Sequence, residues 1–93
     1  MNPQQAVQQM IQMVDLAENE LFTGSFSEST VKSDLAIKPE KRSYYIKQYN
    51  EWEDSMNTVI DLLGSNPTAR DLISRAKKTK EQAKKMLAYV RSH

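Results

Sequence analysis

The 93-residue chain has no cysteine, two glycines, three prolines and one histidine. Without cysteine there is no disulfide framework, no thiolate nucleophile and no zinc finger. That composition fits a reducing compartment, and a cytoplasmic setting is expected. Few glycines and prolines argue against a many-turned all-β fold. No apolar run approaches the length of a signal h-region or a membrane span, and the Gln-rich start carries no Lys or Arg. No membrane attachment is expected. At this length, folding buries about 65% of the unfolded chain's surface, enough for one domain with a modest core. It leaves little room for an enclosed cavity of the few hundred Å³ that active sites usually occupy.

What is present is helical periodicity. Asn2-Pro3-Gln4-Gln5 opens with a capping-box-like pattern. Apolar residues then recur at Val7, Met10, Ile11, Val14, Ala17 and Leu21, a single stripe with no breaker before Gly24. This predicts a first helix over residues 3–22. Residues 23–38 are serine-rich with scattered apolar side chains. Ser25 and Glu28 stand three apart, so a short helix over about 27–36 is expected, with a mobile loop as the alternative. Phe26 is placed to dock that segment on the core.

Pro39 marks the next start. Tyr45, Tyr49, Trp52, Met56, Val59 and Leu63 follow at spacings of three and four, predicting a helix over 40–63. Gly64 is positioned to end it in the left-handed conformation. Asn66-Pro67 repeats the opening device. Leu72, Ile73, Ala76, Ala83, Met86, Leu87 and Val90 then predict a helix over 67–91, its stripe interrupted near Thr79 and Lys80. The three-residue link between these last two helices makes them antiparallel neighbours. Three long helices with one apolar stripe each bury those stripes together. The expected fold is therefore all-α, a three-helix bundle with a short extra helix, forming a single domain across residues 1–93.

A formal net charge of +1 hides a strong asymmetry. Residues 1–30 carry four acids and no Lys or Arg, whereas residues 67–93 carry eight basic residues against Asp71 and Glu81. At about 100° per residue, Arg70, Lys77, Lys84 and Arg91 fall on one flank of the last helix, and Lys78 and Lys85 widen the patch. The stripe is about 30 Å long. It can neutralise the acidic first helix, meet an acidic protein surface, or follow phosphates. Two features count against nucleic acid. The sequence pI is about 7.9, and only Tyr89 is interleaved among the cations as a stacking platform. A helix-turn-helix reading of Leu62–Thr68 fails because the flanking helices are long and antiparallel.

Chemistry finds little support. The one histidine, His93, is the last residue of the sequence. Asp15/Glu18 and Glu51/Asp54 each share a helix face, but no Glu-x-x-His motif accompanies them. Gly24 and Gly64 stand alone, so there is no phosphate-binding loop. No catalytic residue, metal or cofactor is expected. Tyr45, Tyr49 and Trp52 belong to the core seam. Tyr44 falls off it beside Lys41, Arg42 and Lys47, the mixture that interface hot spots favour. Phe22 and Phe26 extend an apolar patch nearby.

Short, cysteine-free, charge-asymmetric helical chains of this general type include many small bacterial and phage regulators and inhibitors. The expectation is a binding module that covers an acidic patch on a larger protein. Arg70, Lys77, Lys78, Lys84, Lys85 and Arg91 would steer, and Tyr44 and Phe26 would anchor. The alternatives are an accessory protein that binds nucleic acid through the same stripe and a homodimer whose helices complete one another's cores.

Overall fold

A computed structural model describes residues 3–93, and within them there is helix and turn but no strand. Helix α1 is Pro3–Glu18 and continues as a wider π-helical turn, Asn19–Thr23. Helix α2 is Glu28–Ile37. A 3-10 turn, Pro39–Lys41, leads into α3, Arg42–Leu63. A second 3-10 turn, Pro67–Ala69, leads into α4, Arg70–Ser92. The all-α bundle and its short extra helix are as the periodicity predicts. The expected cap at Asn2 lies outside the described residues.

The starts and stops have identifiable causes. Asn66 caps the last helical segment as expected: its side-chain oxygen accepts from the Thr68 backbone N–H at 2.9 Å, with Pro67 in the first turn. The short helix α2 is capped differently from the expected Ser25/Glu28 pair. Its N-cap is Ser27, in extended conformation, and the Ser27 hydroxyl donates to Thr30 Oγ1 at 2.9 Å. Gly64 also departs from expectation. It stays right-handed at φ −60° and ψ −27°. Its role is steric, because a Cβ there would stand 2.7 Å from the Ile60 carbonyl oxygen, on backbone that cannot yield.

Helices α3 and α4 form an antiparallel hairpin. At one end, the Arg42 guanidinium donates to the carbonyls of Val90 (2.9 Å) and Arg91 (2.5 Å). A cation thus satisfies orphan carbonyls at the negative end of the α4 dipole. The third column is α1 followed by α2, both running parallel to α4. Pairings advance in step along the two columns: Glu18 with Arg75, Phe22 with Lys78, Glu28 with Lys85, and Lys32 with Tyr89. Stacking two helices end to end against the hairpin gives an elongated body of 45 × 19 × 18 Å.

The core runs the length of this body. Val14, Ala17 and Leu21 of α1 and Val31 of α2 meet Met56, Val59, Ala76, Ala83, Met86 and Val90, all fully buried. Each large apolar side chain so buried contributes about 1.5–3 kcal/mol. Thr79 continues the stripe instead of interrupting it. It is fully buried, and its hydroxyl donates to the Arg75 carbonyl at 2.8 Å, which removes the cost of burying it.

The break between α1 and α2 is held by an aromatic hub. Phe26 lies 5.9–6.2 Å, ring to ring, from Tyr44, Tyr45, Tyr49 and Trp52. The Tyr49 hydroxyl donates to the Phe26 carbonyl at 2.6 Å, and its burial pushes the phenol's pKa well up. Beside the hub, Asp34 accepts from the Tyr45 hydroxyl and pairs with Lys41 at 2.8 Å. These bonds tie α2 to the start of α3.

A basic flank of α4 as the candidate binding surface

Two flanks of α4 carry cations, and neighbouring elements sort them. The flank toward α1 and α2 bears Arg75, Lys78 and Lys85. Arg75 donates to Glu18 at 3.1 and 2.6 Å and to Asp15. Those two carboxylates, Glu18 first, raise the guanidinium's pKa further. Lys78 lies 5.9 Å from the Phe22 ring centre, and Lys85 lies 3.8 Å from Glu28. Glu28 is shared with Lys32 at 3.0 Å, and hydrogen bonding to Lys32 holds its carboxyl below the ordinary range. So the acidic first helix is neutralised mainly by Arg75, which lies outside the seven-residue spacing of the basic row.

The opposite flank bears Arg70, Lys77, Lys84 and Arg91, all exposed. Among the described residues, Arg70, Lys77 and Arg91 have no ion-pair partner, and Lys84 has only Glu81, 3.9 Å away on its own helix. An open cleft of about 490 Å³ at the hairpin link brings Arg70, Ile73 and Lys77 together with Gly64, Ser65 and Asn66. Arg75 instead lines a second cleft with Val7 and Ile11 of α1, so the row lies on the flank away from α1.

The two expected anchors do not join this surface. Phe26 is only 8% exposed and belongs to the aromatic hub, so it supplies stability and no contact surface. Phe26 docks its segment on the core and forms no part of an exposed patch. Tyr44 is 47% exposed, and its outer side lies near Lys41, whose Nζ is 5.6 Å from the ring centre. Arg42 points to α4, and Tyr44 two residues later sits about 200° round the same helix. The basic stripe and Tyr44 therefore face different directions and cannot grip one flat partner surface together.

A further charged feature was not legible as such. Helix α3 carries Glu51, Glu53, Asp54 and Asp61, and none of these carboxylates has an ion-pair partner among the described residues. Among the described residues, no helix is long and apolar enough to cross a membrane, and no group of three His, Cys, Asp or Glu residues could hold a metal. No protein-family model, no curated protein and no solved structure matches the chain.

Proposed function

We propose that the chain is a non-enzymatic protein-binding module that covers an acidic surface on a larger partner, as a regulator or inhibitor does. One observation carries this reading: Arg70, Lys77, Lys84 and Arg91 form an exposed row of cations that the acidic α1 leaves unneutralised. The row steers association, since exposed charges act mainly on the encounter rate. Affinity comes from apolar side chains beside it, with half-buried Ile73 the nearest. Nucleic acid is the second reading, and the unpaired α3 acids count against it. A phosphate backbone lying along α4 would pass close to Asp54 and Asp61.

The test is capture on immobilised chain from host lysate, with and without nuclease, repeated with Lys77→Glu/Lys84→Glu. Retention of one protein through nuclease treatment, lost in the reversed variant, supports the proposal. Retained nucleic acid, with proteins released by nuclease, transfers the stripe to the second reading.

A further inference from the structure

The basic row is half of a larger face, and the other half is on α3. Arg42 reaches into the end of α4, so it marks the edge of α3 that faces α4. At about 100° per residue, Ile46, Glu53 and Ile60 share that edge. Turning one way from it leads to Tyr45 and Trp52, which meet Asp34 and Phe26 of the α1/α2 column. Turning the other way, by about 100–120°, leads to Asp54 and Asp61. On α4 the same sorting puts Arg75 toward α1 and Arg70, Lys77, Lys84 and Arg91 away from it. The side of the hairpin remote from α1 and α2 thus has three strips. An acidic row lies on α3, a basic row lies on α4, and between them run half-buried Ile46, Ile60 and Ile73, interspersed with half-buried Glu53 and Lys80.

We propose that this face docks a second copy of the chain, a proposal that rests on reading it as a protein-binding surface. A twofold axis parallel to the helices lays α3 of one copy over α4 of the other, and the half-buried central strips meet in the middle. The register follows from the hairpin itself. Arg42 is level with Val90 and Arg91 at one end, and Leu63 adjoins the turn to Ala69 at the other. Asp61 then comes within about one to two residues of the level of Arg70 of the second copy, and Asp54 likewise of Lys77, offsets of about 1.5–3 Å that the long cationic side chains span. Both rows step by seven residues, about 10.5 Å, so the two pairs fit together and each occurs twice by symmetry. One step further, Lys47 comes level with Lys84, a like-charged meeting. The dimer is therefore held toward the hairpin link, and its opposite end stays positive.

The face is about 31 Å long, the rise of α4 from Arg70 to Arg91, and roughly 18 Å wide, two helices side by side. It would bury roughly 550 Å² per copy, about 1,100 Å² in all, at the low end of specific interfaces. The expected dimer is accordingly weak, in the micromolar range, and loosened by salt.

Sedimentation equilibrium of the full chain from about 1 to about 200 μM tests this. The expected result is a monomer–dimer equilibrium. Arg70→Glu/Lys77→Glu weakens it by about thirtyfold or more, and Asp54→Lys/Asp61→Lys does the same. Mixing the two variants restores association, because each then supplies what the other lacks. Lys47→Glu, a single change on an exposed position, tightens the dimer several-fold. A wild-type chain that stays monomeric throughout overturns the proposal, as does a mixture that stays monomeric while both variants keep their helical circular dichroism. Capture of a foreign partner is read separately. A monomer that still captures one sinks only the dimer, and a dimer that captures none sinks only the foreign partner.

Discussion

The two flanks of α4 are built from the same residue types on one helix, yet they do different work. Arg75, Lys78 and Lys85 face the α1/α2 column and are absorbed by it, through Asp15 and Glu18, the Phe22 ring and Glu28. Arg70, Lys77, Lys84 and Arg91 face away, and among the described residues none of them has an ion-pair partner on another element. Net charge over a helix is therefore a poor guide to what its cations do. What decides is which column stands beside each flank, and that depends on where α1 gives way to α2.

The comparison breaks most completely if that junction is removed. Phe26 is the hub on which four aromatic rings and the turn between α1 and α2 converge. Phe26→Ala deletes a buried ring and should cost about 3–4 kcal/mol, read as a lower urea midpoint. The column that sorts the cations would then be loosely held. Tyr49→Phe, which leaves the Phe26 carbonyl unpaired, should cost about 1–2 kcal/mol in the same assay.

Arg75 sharpens the contrast from the inner side. It bridges two carboxylates, but its side chain is 40% exposed, so solvent screens much of the attraction. Arg75→Ala should lower stability by about 1 kcal/mol, with the loss shrinking as salt is added. Equal stability of wild type and variant at low salt would remove the distinction between the flanks.

How far this was readable from sequence differs by feature. The long helices and the Asn66 cap follow from spacing and local chemistry, which act over a few residues. Gly64 was placed correctly for the wrong reason: a helix end invites the left-handed conformation, whereas here the Ile60 carbonyl simply leaves no room. Phe26 reads equally well as an anchor or as core, because a lone aromatic in a serine-rich stretch has no periodicity to assign it a side. Its partners are Tyr44 to Trp52, far along the chain. The basic row was visible because it lies on one helix at a fixed spacing. Its isolation from α1 was not, since that depends on Arg75 taking both Asp15 and Glu18. The α3 acids drew notice only as a pair at Glu51 and Asp54, because their relation to the α4 row exists only once the hairpin closes.

Asp34 offers a test by pH. Its carboxylate is held below the ordinary range, first by Lys41, then by the Tyr45 hydroxyl, and to a smaller extent by Lys38. A carboxyl whose folded value is depressed stabilises fully above its unfolded value, near 3.8 here, and that contribution disappears as pH falls through the folded value. Unfolding midpoints should be insensitive to this group near neutrality and fall below about pH 4. Asp34→Asn should flatten part of that fall, with Glu28, depressed in the same direction, accounting for another part. An unchanged acid limb in Asp34→Asn would detach α2 from the electrostatics assigned to it.

The smallest expected effect is the one that completes the comparison. Lys77→Glu/Lys84→Glu alters two exposed side chains, of which only Lys84 has an ion-pair partner, the exposed Glu81 at 3.9 Å. Exposed substitutions away from packing and caps usually fall within about 0.5 kcal/mol. Thermal unfolding of this variant should therefore match wild type closely, although its charge changes by twice two units. That near-equality gives the binding measurements their meaning, because any association lost in the variant cannot then be charged to a damaged fold. A drop as large as that of Arg75→Ala would place the outer row among the structural charges, and the difference between the two flanks would be gone.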